Sequence, residues 1–138
     1  MERVHVEHDF RQPVDRVYAY LSEHEHLETL FGAKIKRLCD GTDGTRNGVG
    51  SARSLKVGPL PAFTETVTEC VPNELIKYRI TKGSPLKGHV GRMRFSPQGD
   101  GTRLHYVIDF GAVLPGLDRV IAVGLGRTVR RGLSDVLN

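Results

Sequence analysis

The segment from Pro115 to Leu137 carries a helical repeat at the end of a long strand-like stretch, and that order limits the folds open to the chain. At about 100° per residue, Leu117, Val120, Ile121, Leu125, Thr128, Val129 and Val136 gather on one side. Arg119, Arg127 and Arg130 gather opposite. A helix with one apolar side must bury it, and the preceding strands supply the surface. Gly124 and Gly132 fall on or beside the expected buried side, although an interior glycine costs about 1 kcal/mol relative to Ala. Close packing against the sheet is one explanation, and space left under the helix for a ligand is another. Both stay open at this point.

Upstream, residues 3 to 10 alternate, with Val4, Val6, His8 and Phe10 on one side, as in a half-buried strand. Pro13 then precedes Val14, Val17, Tyr18 and Leu21, whose spacing makes one face of a short helix. Ser22 and Glu25 have the spacing of a capping box for a second helix carrying Leu27, Leu30 and Phe31, with Gly32 placed to end it. Strand-like runs follow at 33 to 39, 49 to 57, 62 to 71, 74 to 82, 87 to 96 and 102 to 112. Gly, Pro, Asn and Asp dominate the separators, and such short connections favour antiparallel neighbours. The expectation is one α+β domain over residues 1 to 138. It has roughly seven strands in a curved antiparallel sheet, two short helices and a long C-terminal helix.

The 138 residues suit a single core. Twenty Lys and Arg against 16 Asp and Glu give a net charge of +4, but the basic residues are dispersed, which argues against a nucleic-acid surface. Cys39 and Cys70 stand without a CxxC partner, so neither a disulfide framework nor a zinc site is expected. The start of the chain lacks a secretory apolar stretch and no apolar run is long enough to span a bilayer. A cytoplasmic protein without integral membrane contact is the expectation. Gly48 and Gly50 do not open a dinucleotide loop, because Arg53 replaces the third glycine and a strand follows. His24 and His26 are two apart on a helix, His5 and His8 three apart on a strand, and neither pair converges, so no metal is expected.

Pro13-Val14-Asp15-Arg16-Val17-Tyr18 resembles the P-x-x-x-V-aromatic opening of the first helix in the START-like (SRPBCC) superfamily of helix-grip proteins. Gly99-Asp100-Gly101-Thr102-Arg103-Leu104 resembles a hairpin of that superfamily, and Gly48 to Arg53 is similar to its G-x-G-x-x-R run. The resemblance covers nearly the whole chain and includes the polyketide cyclase/dehydrase group. It implies the helix-grip fold and a cavity for a hydrophobic or amphipathic molecule such as a lipid or polyketide. The chain has no Trp, and Tyr18 holds the usual aromatic position.

Strand alternation then proposes the lining. His89, Met93 and Phe95 share a face; so do Leu104, Tyr106, Ile108 and Phe110, and Ile76, Tyr78 and Ile80. Arg53 shares parity with Val49, Leu55 and Val57. Among these and the first strand, His8, Arg53, Tyr78 and His89 discriminate best, since a buried polar group needs a partner. Glu65 and Glu69 read as paired surface carboxylates. The expected ligand-binding set is Arg53, Tyr78, His89, Met93, Phe95, Tyr106, Ile108, Gly124 and Thr128, and the candidates for proton transfer are His89, His8 and Tyr78. Three functions fit: a small-molecule binder, a cyclase, aromatase or dehydratase, and a non-catalytic protein-interaction module. No cofactor is expected, and a homodimer is left open.

Overall fold

The structure is a computed structural model that describes residues 1–84, 86–112 and 116–137. The strands are β1 Glu2–Phe10, β2 Lys34–Cys39, β3 Ala52–Lys56, β4 Phe63–Val71, β5 Leu75–Lys82, β6 Leu86–Gln98 and β7 Gly101–Ala112. The helices are α1 Val14–Ser22, α2 Leu27–Phe31 and α3 Leu117–Asp135, with one 3-10 turn at His24–His26. The strands form one antiparallel sheet in the order β1-β7-β6-β5-β4-β3-β2. This is the helix-grip α+β architecture.

Turn chemistry places the reversals. Asn73 has φ 64° in the β4–β5 hairpin, where the Glu74 amide donates to the Val71 carbonyl at 3.0 Å, and Gly99 has φ 60° in the β6–β7 hairpin. Gly32 ends α2 at φ 60°, as its position foretold. The capping box does not form: the Ser22 hydroxyl turns back to the Tyr18 carbonyl at 2.6 Å, because α1 itself extends through Ser22. Pro13, whose ring suits the first helical position, instead flanks α1 as its N-cap in extended backbone. β3 is shorter than the apolar run implied. Val49 falls in the turn before it, where the Ser51 amide bonds the Gly48 carbonyl, and is exposed.

The core joins Val4, Val6 and Phe10 of β1, the inward rows of β5 to β7, and Val17, Leu21, Leu27, Leu30, Val129 and Leu133 from the helices. Pro115, expected to open α3, lies outside the described residues. Two expectations on α3 are corrected. Val120 is 69% exposed rather than buried, since nine residues at about 100° each bring it half a turn from the fully buried Val129. Gly124 is exposed too, and a Cβ built on it meets nothing within 4 Å. The buried glycines are Gly126 and Gly132. A Cβ on Gly132 would lie 2.7 Å from the Leu30 Cα and 2.8 Å from the Thr29 carbonyl oxygen, so this glycine lets α3 cross α2 in backbone contact.

Candidate functional site: a buried polar row on the sheet

Adjacent strands carry the polar side chains inward. Arg53 on β3 stands opposite Glu65 on β4, Val67 pairs Tyr78 on β5, Tyr78 pairs Gly91 on β6, and Met93 pairs Tyr106 on β7. Arg53 donates through Nε at 3.0 Å and Nη2 at 2.8 Å to one oxygen, Glu65 Oε1. The other oxygen lies 3.8 Å from His89 Nε2. The guanidinium carbon sits 4.8 Å from the centroid of the Tyr78 ring, a cation–π contact removed from water. The Tyr78 hydroxyl bonds the Tyr106 hydroxyl. His89 Nδ1 is buried without a hydrogen-bond partner among the described residues.

Local sequence explains how this row is built. A Cβ on Gly91 would fall 2.2 Å from Tyr78 Cζ, so the missing side chain is the space through which Tyr78 crosses β6 toward Tyr106. His89 is brought inward beside Gly88, at a bulge between Lys87 and Val90 where Gly88 takes φ 58°. Glu65 corrects the expectation of paired surface carboxylates: it is 4% exposed, whereas Glu69 faces solvent. A bulge between Val67 and Glu69 inserts Thr68 and reverses the inward parity, so two residues that alternation assigns to one face part company.

Burial disfavours charge on the two phenols and on His89. It raises the Tyr78 phenol well above its ordinary range, with Tyr106 and Glu65 adding to the shift, and it raises Tyr106 likewise. It lowers His89, against the opposing pull of Glu65, so the imidazole is neutral at neutral pH. Arg53 and Glu65 are the charged members, and each neutralises the other.

Tyr78, Met93, Tyr106 and Ile108 are each 1% exposed, so they fill the space between sheet and helices. Phe95 is buried edge-on against Tyr18 at 5.4 Å. His8 is not brought to the row. It is half-buried on β1 against Phe10 and pairs Leu104, whereas His89 lies beside the Val90–Asp109 pair further along β7. The Thr128 hydroxyl donates to its own helix at the Gly124 carbonyl, 3.0 Å away. Two clefts lie outside the polar row. One of about 460 Å³ includes Val71, Glu74, Arg94 and His105, and one of about 330 Å³ runs between β1 and α3 past Arg3, His5, Val123 and Arg127.

The sequence reading missed a second buried polar pair. His24 is fully buried, with Nε2 3.0 Å from Ser51 Oγ. That hydroxyl gives its proton to the Gly48 carbonyl at 2.7 Å, so it accepts from His24 and sets the Nε2–H tautomer. The glycine run before Arg53 thus serves as a turn that seats His24. Arg37 of β2 fastens the neighbouring loop, donating to Glu23 at 2.8 Å, Glu25 at 2.9 Å, and Asn47 and the Arg46 carbonyl at 2.7 Å. Its hydrogen bond holds the Glu25 carboxyl down to about 2.

A curved sheet gripping one long helix over a buried polar row defines a helix-grip protein. Residues 1–136 match the family described as polyketide cyclase / dehydrase and lipid transport, and the chain belongs to that family. Solved structures share the fold. A START superfamily protein from Mycobacterium smegmatis is 18% identical with a TM-score of 0.79, covering 98% of this chain and 94% of that one. A Thalictrum norcoclaurine synthase point mutant, in complex with a transition-state analogue, is 17% identical with a TM-score of 0.73, covering 99% and 93%. The Aha1 dimer from Colwellia psychrerythraea is 12% identical with a TM-score of 0.72, covering 99% and 96%. Among curated proteins no sequence match is found. No helix among the described residues is long and apolar enough to cross a membrane.

Proposed function

We propose that the chain binds a small hydrophobic or amphipathic molecule, such as a lipid or polyketide, between the sheet and α3, with its oxygen atoms directed to Arg53, Tyr78, His89 and Tyr106. The observation that carries this reading is the polar row itself. Burying an ion pair and two phenols inside an apolar core adds little stability over well-packed apolar residues, so recognition is the better reason for them. The ligand enters by displacing the first half of α3. There Ile121, Ala122 and Leu125 are only half-buried, whereas Val129 and Leu133 are completely buried in the second half, where Gly132 meets α2. Apolar walls with a few converging polar groups are the usual make-up of such sites.

Native mass spectrometry for co-purifying molecules, together with titration of a hydrophobic fluorescent dye, tests the proposal. The expected result is a retained ligand and saturable dye binding that Tyr78→Phe weakens. Absence of both overturns it. The same spectra report whether the chain pairs with a second copy.

A second reading, a cyclase or dehydratase, is favoured by one observation: the buried His89 imidazole is neutral at neutral pH and turns Nε2 toward Glu65, 3.8 Å away. On a poly-β-ketone thioester probe, His89→Asn, which keeps a hydrogen-bonding side chain, would abolish turnover while binding through Arg53, Tyr78 and Tyr106 persists. Full turnover by that variant rejects the catalytic reading and leaves the binding one intact.

A further inference from the structure

The outer face of the sheet carries a constellation that is unrelated to the polar row. His5 and Glu7 are two apart on β1 and so project from the same face, and β1–β7 register sets His105 directly opposite Glu7. The three side chains are half-exposed, and one ligand atom from each lies within 4.8 Å of the others. Glu7 Oε1 is the centre of the group, 3.2 Å from His105 Nδ1 and 3.6 Å from His5 Nε2. The two imidazoles are stacked, with centroids 6.1 Å apart and planes 21° from parallel.

The two distances from Glu7 Oε1, 3.2 and 3.6 Å, match a tetrahedral metal site, and the imidazole donors lie within 4.8 Å of each other. Metal–nitrogen and metal–oxygen bonds of about 2.0 to 2.2 Å at tetrahedral angles put neighbouring donor atoms about 3.3 to 3.6 Å apart. The carboxylate is also held for the purpose. Arg103 binds Glu7 Oε2 and shares its charge with Asp9 at 3.0 Å, leaving Oε1 turned to the histidines. Arg3 of β1 is engaged by Asp109 at 2.6 Å, Arg130 donates to the His5 carbonyl at 3.4 Å, and Arg94 of β6 stands opposite His105.

We propose that His5, Glu7 and His105 form a surface site for a divalent transition-metal ion of the Zn²⁺ class, with the remaining coordination open to water or an external donor. Two imidazoles and one carboxylate select such ions over Mg²⁺ and Ca²⁺, which prefer all-oxygen ligand sets. Bound metal would brace β1, which is an edge strand of the sheet, to β7. Histidine spacing along the chain does not reveal this site, because its third ligand comes from a strand remote in sequence and adjacent only in the fold.

The test is titration of untagged, chelator-treated protein with Co²⁺, read by its visible absorption, and with Zn²⁺, read by calorimetry. One equivalent should bind with the intense absorption of tetrahedral Co²⁺, and Zn²⁺ should raise the melting temperature. His5→Ala, Glu7→Gln and His105→Ala should each weaken binding at least about tenfold, on the scale seen for disrupted metal sites. The Cys39→Ser and Cys70→Ser variants should bind like the parent. All three ligand side chains are half-exposed on the outer face of the sheet, so circular dichroism should report folded variants. Absence of saturable binding by the parent chain, or equal binding by the parent and His105→Ala, overturns the proposal.

Discussion

Tyr78 lies across Gly91, so closely that a single methyl group at position 91 would stand 2.2 Å from the phenol ring. The contact decides whether Tyr78 can reach Tyr106, because the two hydroxyls meet on the far side of that glycine. Gly91→Ala is therefore expected to destabilise the fold by about 1 to 3 kcal/mol, the usual cost of overpacking a filled core. In a Tyr78→Ala background the same change should cost much less. Urea denaturation of the four-member cycle measures the coupling, and additive effects would show that Tyr78 does not depend on the gap.

The Arg53–Glu65 pair should behave asymmetrically. Arg53→Met alone or Glu65→Leu alone leaves a buried charge without its partner and should cost about 3 to 5 kcal/mol. The double variant should recover most of that loss while weakening ligand or dye binding. Equilibrium unfolding and dye titration on the same three proteins separate the structural role from recognition.

Two of the three glycines on α3 should respond with opposite signs. Gly124→Ala fills open space on an exposed helix surface and should stabilise by about 0.5 to 1 kcal/mol. Gly132→Ala drives a methyl into the α2 backbone and should destabilise by at least about 1 kcal/mol. Thermal denaturation of the two variants checks both. Packing, then, is why position 132 is glycine.

Acid should destabilise the protein before its carboxylates titrate. Burial, followed by the charges of Arg53 and Arg37, lowers His24 from 6.5 to about 3, and burial lowers His89 in the same direction. The unfolded chain therefore binds more protons as pH falls below 6.5. The stability gained from neutral, buried imidazole is complete above that value and is lost on the way down to about 3. Each histidine contributes a slope of at most about 1.4 kcal/mol per pH unit. Denaturation midpoints between pH 7.5 and 5 should fall accordingly, and His24→Gln should flatten the curve.

Much of the fold was legible because alternation and helical period are local. β7, with Leu104, Tyr106, Ile108 and Phe110 inward, and β6, with His89, Met93 and Phe95, follow the period of two expected of strands. Of the candidate site, the inward burial of Arg53, Tyr78, His89 and Tyr106 was legible from parity. What escaped depended on departures from period or on distant partners. Thr68 in its bulge sends Glu65 inward and Glu69 out, an insertion that no count of residues reveals. His24 sits beneath a turn formed by residues far along the chain. Val120 shows the opposite fault, an apolar residue assigned to the buried stripe although its angular position opposes Val129.

The pairing of β1 with β7 also bears on how the protein comes to be made. Arg3 and Asp109, hydrogen-bonded across that ladder, are 106 positions apart. During synthesis the first strand must wait for almost the entire chain to emerge before its neighbour exists, and α3, which packs on β1 through Gly126 and Val4, comes later still. Local hairpins such as β4–β5 and β6–β7 have no such delay. Assembly should thus be limited by the late pairing of β1 with β7, with β1 held as an unpaired amphipathic strand until then.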